Sequence, residues 1–326
     1  MLRKTYIIIL GVLFGVGIGM SNSQGENYPT RPIEILCPYS AGSSVDIMIR
    51  LVGDIAQKYL GQPMVVINKP GASGTIAAAE IISSKADGYK VVELTNLFFA
   101  TTTKTQKVPF NISDLEPLVY FIELKHGFSI KGDSPWKTLN DLVEYARKNP
   151  GKLKWAHVGR GGPQHLYGSL LFKKAGVETI DVPYKGSPEQ IAAVLGGHVD
   201  ASISTYGPVK DLLKTGRLKY LAVFSNKRYG DPPDIPCVTE LGFQEAGELP
   251  TLFGLCINKN TPEEIKRTLV ETFRKTYETQ EFKKGIEKLG EEPRFGGPEL
   301  MKEAIKRSER VGVPILKELG LYIEQK

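Results

Sequence analysis

The chain has 326 residues, 41% hydrophobic and 24% charged, with a formal net charge of +6. That is the composition of a globular protein, and a surplus so small and scattered excludes a nucleic-acid-binding surface. Three widely spaced cysteines, Cys37, Cys237 and Cys256, suit neither a disulfide framework nor a zinc site; they read as small buried hydrophobes, with a Cys237 to Cys256 bridge as the alternative.

Arg3 and Lys4 precede an apolar run from Ile7 to Met20, and Ser21-Asn22-Ser23 offers small residues at a cleavage site. This predicts a secretory signal over residues 1–23 and a periplasmic mature protein, whose charge falls to about +4 when Arg3 and Lys4 leave. The run is shorter than the roughly 18 residues of a membrane span, and no later stretch is apolar enough for one. No cysteine follows where a lipid anchor would attach, so a free rather than tethered protein is expected. The remaining chain, about 300 residues, suits two domains.

Short apolar strand candidates then alternate with helical patterns, which predicts an α/β protein with mainly parallel sheets. Ile33 to Cys37 is the first strand. A run of small residues follows it, and then Met48, Leu51, Val52, Ile55, Tyr59 and Leu60 recur at helical spacing until Gly61. Met64 to Ile67 is a strand, Ile76 to Ser83 a short helix, and Tyr89 to Leu94 a third strand. Val119 to Ile130 is apolar and β-prone, and Leu139 to Lys148 is a helix. A second cycle opens at the strand Lys154 to Val158, passes a glycine-rich loop, and continues with a helix from Gln164 to Ala175 ended by Gly176.

Thr179 to Pro183 is the next strand, and Ser187, Pro188 and Gln190 carry the pattern of a capping box. Val199 to Ser202 and Tyr220 to Phe224 complete this part; Ser225 to Pro236 reads as a hinge-side connection, and Thr251 to Ile257 as a returning strand. Thr261-Pro262-Glu263-Glu264 is a second capping box. It opens the first of three closing helices, whose Leu269, Phe273, Ile286, Leu289, Ile305, Ile315 and Leu319 are expected on the first sheet. The charged face from Glu263 to Lys284 reads as solvated, with docking to a membrane partner as the alternative.

The segment LCPYSAGSSVDI raises the functional question, because Tyr39, Ser40, Ala41, Gly42, Ser43 and Ser44 are spent at the end of a strand. Neither G-x-x-x-x-G-K-[ST] nor G-x-G-x-x-G is present. What remains is a loop of free backbone N–H groups at the mouth of a helix, which suits an anion. Gly159, Arg160, Gly161 and Gly162 repeat the design after the strand at Trp155. Ligands of two-domain α/β proteins bind beyond the carboxyl ends of strands, so the two loops are expected to face one cleft and grip a carboxylate.

Over nearly the whole mature length the sequence resembles the extracytoplasmic receptors of tripartite tricarboxylate transporters, also called Bug receptors. The matching stretches include YPTRPIEILCPYSAGSSVDIMIRL from Tyr28, GQPMVVINKPGASGTIAAAE from Gly61, and YARKNPGKLKW from Tyr145. They continue with GGPQHLYGSLLF from Gly161, VPYKGSPEQIAAVLGGHVD from Val182, PDIPCVTELG from Pro233 and NTPEEIKRTL from Asn260. The resemblance implies a two-lobed type II periplasmic-binding-protein fold with the ligand cleft between lobes, no catalysis and no cofactor. Lobe 1 would take residues 24–123 and 249–326, and lobe 2 residues 124–248.

A small organic carboxylate would be the ligand, delivered by a monomeric receptor to membrane transporter subunits. Tyr39 to Ser44 with Asp46, and Gly159 to Gly162 with Gln164 and His165, would grip the carboxylate; Thr95, Asn96, Tyr184 and Lys185 would face the same cleft. The sequence departs from the family pattern at Ser43 and Gly162, where a glycine and a hydroxyl residue are usual, and at Leu252, where tryptophan is common.

Several of these residues carry a second reading. Asp46 either orders the ligand loop or simply completes a capping box with Ser43. Arg160 either pairs with the carboxylate or sits solvated at the rim. His165 is a structural or a ligand residue, Tyr184 and Lys185 either stabilise a turn or face the ligand, and His126, His157 and His198 have no partner at metal spacing. A periplasmic sensor that signals to a kinase is the alternative within binding proteins. A secreted hydrolase is the alternative outside them, and it lacks both G-x-S-x-G and H-E-x-x-H.

Overall fold

The computed structural model describes residues 28–231 and 234–325; the expected signal over 1–23 lies outside the described residues. The chain begins β1 (Ile33–Cys37), α1 (Ser44–Leu60), β2 (Met64–Asn68), α2 (Thr75–Ser83), β3 (Lys90–Glu93), α3 (Asn96–Ala100) and β4 (Leu115–Leu124). It crosses to a second sheet through Lys125 and continues with β5 (His126–Lys131), α4 (Leu139–Lys148), β6 (Lys154–His157), α5 (Pro163–Lys174), β7 (Ile180–Pro183), α6 (Ser187–Leu195), β8 (Ala201–Thr205), α7 (Tyr206–Lys214) and β9 (Leu218–Val223). After α8 (Gln244–Gly247) it returns through β10 (Thr251–Asn258), α9 (Glu263–Glu278), α10 (Gln280–Lys288), β11 (Glu292–Gly296) and α11 (Pro298–Glu318).

Two sheets result, ordered β11-β4-β10-β3-β1-β2 and β7-β6-β8-β5-β9. They are mixed rather than mainly parallel: β1 and β6 pair parallel with both neighbours, whereas β10 and β5 are antiparallel to both of theirs. The reason is the connection. β5 and β10 arrive from the other lobe, without the helical crossover that a parallel neighbour needs. The stretch Val119 to Ile130 is accordingly two strands in two sheets.

Each lobe has its own core. In the first, Phe121 stands at the centre of an aromatic cluster, with ring centroids 5.6–6.2 Å from Phe253, Phe273, Phe282 and Phe295. Met48, Ile49, Val52 and Ile55 seal α1 against it, and Gly61 ends that helix at φ +68°. In the second, Trp155, Leu166, Leu170 and Phe172 pack with Phe128 and Ile203. Leu269, Phe273 and Ile286 bury in the first core as expected, but Ile315 and Leu319 join the second. A 21-residue helix is about 30 Å long, enough for α11 to reach both lobes.

Neither expected capping box forms. Gly186 caps α6 without a side-chain bond, and Gln190 turns into the core instead. Pro262 caps α9, leaving the Thr261 hydroxyl buried and unpartnered. All three cysteines are free and buried.

Candidate functional site

Four helices start at one place between the sheets. An inner cavity of about 30 Å³ is lined by Ser43, Ser44 and Val45 at the start of α1, Pro163 and Gln164 of α5, Ser187 of α6 and Thr205, which precedes α7. Tyr39, His126 and Val158 complete the wall. First-turn amides such as those of Ser44, Val45, Gln164 and His165 have no intrahelical acceptor, and each helix end carries roughly half a positive charge. No aspartate, glutamate, lysine or arginine is among the lining residues. The converging helix dipoles therefore favour an anion there. Tyr39 and Val158 also line an outer cavity of about 300 Å³, bounded by Ala72, Ser73, Gln106, Gly159, Arg160, Tyr184 and Lys185.

Contacts across the cleft hold the lobes together. Ser44 and Thr205 join hydroxyls at 2.9 Å, the Ser40 hydroxyl donates to Glu189 at 2.7 Å, and the Ser73 hydroxyl donates to the Arg160 carbonyl at 2.5 Å. The Ser40 amide donates to the Lys185 carbonyl at 3.3 Å. Gly159 is required here: at φ +100°, a Cβ would stand 2.5 Å from the Ser73 hydroxyl. The same hydroxyl lies 3.3 Å from where a Gly162 Cβ would be, so Ser73 of the opposite lobe occupies the space left by the missing hydroxyl residue.

Asp46 orders the first loop and does not touch the cavity. The Ser43 hydroxyl accepts from the Asp46 amide at 3.2 Å, while the Asp46 carboxylate accepts from the Gly42 amide at 2.9 Å rather than from Ser43. Arg50 and Asn68 donate to it as well. Burial would raise its pKa, but bonds from Arg50, Gly42 and Asn68 outweigh that and hold it below the ordinary carboxylate range. The capping-box and loop-ordering readings both describe part of its role. Ala41 and Gly42 are exposed on the outer side of the loop.

In the second loop, Gln164 is locked: its side-chain oxygen accepts from the Val158 amide at 3.1 Å and from Gln190 at 3.2 Å. Gln190 also donates to the carbonyls of Ala156 and Ile203. Arg160 turns its two-thirds-exposed guanidinium to Asp181, at 2.8 and 3.2 Å, and so is committed within its own lobe. His165 accepts the Gly161 amide on Nδ1 at 3.2 Å and stacks on Trp155, a structural role that takes the Gly161 amide away from a ligand.

His157 is not isolated, contrary to the sequence expectation, because the fold brings it to His165 and Asp181 within 4.8 Å. Hydrogen bonds account for most of the cluster: His157 Nε2 meets the Asp181 carboxylate at 3.1 Å, while His157 Nδ1 is buried without a partner. Arg160 occupies the Asp181 carboxylate, and a His165 that accepts on Nδ1 carries its proton on Nε2, the nitrogen that faces Asp181. His157 and Arg160 hold Asp181 well below its usual pKa against the opposing effect of burial. Burial pushes His165 down to about 4, so it is neutral.

Thr95 and Asn96 do not line these cavities. Thr95 caps α3, and Asn96 donates to Pro250 and Ser308 and accepts from the Leu252 amide. All its polar atoms are satisfied inside the fold, on the side of a hinge-side cavity of about 770 Å³ that Leu252 also lines. That cavity is larger, yet only the inner one has converging helix ends. Sequence reasoning missed Val45, His126, Val158, Pro163, Ser187 and Thr205 of the inner cavity and Ser73 of the outer one as site residues. Thr205 carried a legible signal, a hydroxyl between a strand and a helix start; Val45, Val158, Pro163 and Ser187 adjoin the expected loops and helix starts, and His126 and Ser73 are brought in by the crossing of the lobes.

The profile of the tripartite tricarboxylate transporter family receptor matches residues 48–321. The UPF0065 protein in the gbd 5′ region of Cupriavidus necator is 31% identical over 98% of this chain and 99% of its own. The structure of the periplasmic binding protein BugD superposes with TM-score 0.85 at 27% identity, covering 91% of this chain and all of that one. R. palustris Rpa4515, solved with adipate, gives TM-score 0.82 at 27% identity, covering 90% and 98%. The chain has the two-lobed periplasmic-binding-protein fold and belongs to the tripartite tricarboxylate transporter receptor family, alongside the Bug proteins.

Proposed function

We propose that the protein is exported behind its amino-terminal signal, binds a small organic carboxylate between its lobes in the periplasm, and hands it to a membrane transporter as a monomer. The observation that carries this reading is the meeting of four helix amino ends on a cavity without acidic side chains. One carboxylate would accept from the amides around Ser44, Val45 and Gln164, with Tyr39 and Thr205 closing over it. The body of the ligand would extend past Val158 into the outer cavity, where Lys185 offers a cation to a second polar end. Adipate, the ligand solved with Rpa4515, fits this division into two carboxylate ends.

Lobe closure is the working motion, and the contacts of Ser40, Ser44 and Ser73 with the opposite lobe belong to the closed form. The hydrolase reading has no support at Ser44, whose hydroxyl bonds Thr205 rather than a general base. Isothermal titration against mono-, di- and tricarboxylates and acidic amino acids tests the proposal; binding of none of them rejects it. Transporter or kinase genes beside this one separate delivery from sensing.

A further inference from the structure

The wall of the inner cavity contains one basic side chain, the imidazole of His126, to which no role has yet been assigned. His126 starts β5 immediately after the chain crosses between lobes, and is 3% exposed. Its backbone is fixed on every side. The N–H donates to the Tyr229 hydroxyl at 3.1 Å, the carbonyl accepts from Phe224 at 2.9 Å, and the strand pairs His126 with Thr205. The ring packs edge-on against Tyr167 at 5.5 Å. The imidazole is thus a rigid part of the cavity.

No fixed charge among the lining residues answers it. At the crossing between the sheets, Lys125 turns its amine to Glu292 at 3.6 Å and over the Tyr229 ring, and its amide donates to Glu291. From α5 and the following elements come Tyr167, Tyr206 and Tyr229, all with pKa values raised by burial first, and α1 contributes only Ser43, Ser44 and Val45. Burial, partly offset by the Leu124 carbonyl, pushes His126 down to about 4, and the surrounding helix ends disfavour a cation further. In the free protein it is neutral.

We propose that His126 is a ligand-contacting residue that takes a proton from solvent when an anion occupies the cavity, so the receptor captures a carboxylate together with a proton. An opposite charge within about 4–6 Å favours the imidazolium, and more strongly once the closed lobes exclude water. The proton comes from bulk water onto the vacant ring nitrogen; no other bond changes. The sign follows by linkage: the bound form holds more protons than the free form, so affinity rises as pH falls, by at most about tenfold per pH unit.

This inference rests on the carboxylate reading of the same cavity. Its test is calorimetry of adipate binding to the wild type and to His126→Gln at pH 5.5, 6.5 and 7.5, in buffers of different ionisation enthalpy. The wild type is expected to take up more protons than His126→Gln, and its Kd to weaken more steeply with rising pH. Equal proton uptake by the two proteins overturns the inference alone; no heat from any carboxylate overturns it and the carboxylate reading together. If His126→Gln does not fold, nitrogen NMR of labelled histidine in the wild type decides. At pH 6.5 the ring coupled to Tyr167 is expected to become an imidazolium on adding adipate, and a ring that stays neutral contradicts the proposal.

Discussion

Ser44 of one lobe and Thr205 of the other share a hydrogen bond of 2.9 Å between the starts of α1 and α7. Both are buried and they come from different lobes, so any opening of the cleft would break the bond. A neutral buried pair contributes about 1 kcal/mol, or about fivefold in affinity. Ser44→Ala and Thr205→Ala are each expected to weaken carboxylate binding by roughly that factor. The double variant should lose less than the product, because both remove the same bond. Calorimetry on the four proteins gives the coupling directly.

Gly186 offers a way to block closure, since within its own lobe the nearest atom a Cβ would meet is the mobile end of Glu189, at 3.2 Å. Its backbone is extended, so no conformational strain attends a side chain there, yet a Cβ would lie 3.0 Å from the Ser40 Cβ of the other lobe. Gly186→Val is expected to lower affinity by about tenfold or more, the order of about 1–3 kcal/mol for overpacking, with the melting temperature little changed. Ser40→Gly should restore part of the loss, and calorimetry with thermal melts reads both effects.

Gln190 links the core of the second lobe to its ligand loop. It is fully buried and donates to Ala156, Ile203 and Gln164. Gln190→Met leaves those acceptors without their donor, costing about 1–3 kcal/mol. The expected outcome is a lower denaturant midpoint, and weaker ligand binding because Gln164 loses its orientation.

Glu93 is buried at the end of β3 with one oxygen unpartnered, and burial raises its pKa from 4.5 to about 8. The folded protein therefore binds more protons than the unfolded chain between those values. The contribution is fully present below pH 4.5 and falls as pH rises toward about 8, by roughly 1.4 kcal/mol per pH unit. Glu93→Gln is expected to flatten that fall and to melt higher than the wild type at pH 8. Melting curves at pH 5 and pH 8 check it.

The strand-loop-helix units were legible in the sequence because hydrophobic spacing and small-residue loops are local signals. α1, α5 and both ligand loops lie close to their expected places. What depended on contacts between segments distant in the chain was not legible. Ile315 packs in the second core because α11 is long enough to reach it, and Arg160 pairs with Asp181 on the neighbouring strand while lining the outer cavity. Gln190 fits a capping-box pattern, but its amide gains more by joining three buried acceptors than by capping an exposed turn. His126 gives no local sign at all; only the crossing between sheets brings it beside Thr205.

The most direct measurement is a crystal structure with a bound dicarboxylate such as adipate. The account predicts a carboxylate oxygen within about 2.7–3.2 Å of the amide of Val45 or Gln164, with the lobes shut over it. A ligand lodged instead in the hinge-side cavity near Arg307 and Arg310, with the inner cavity unchanged, would contradict it.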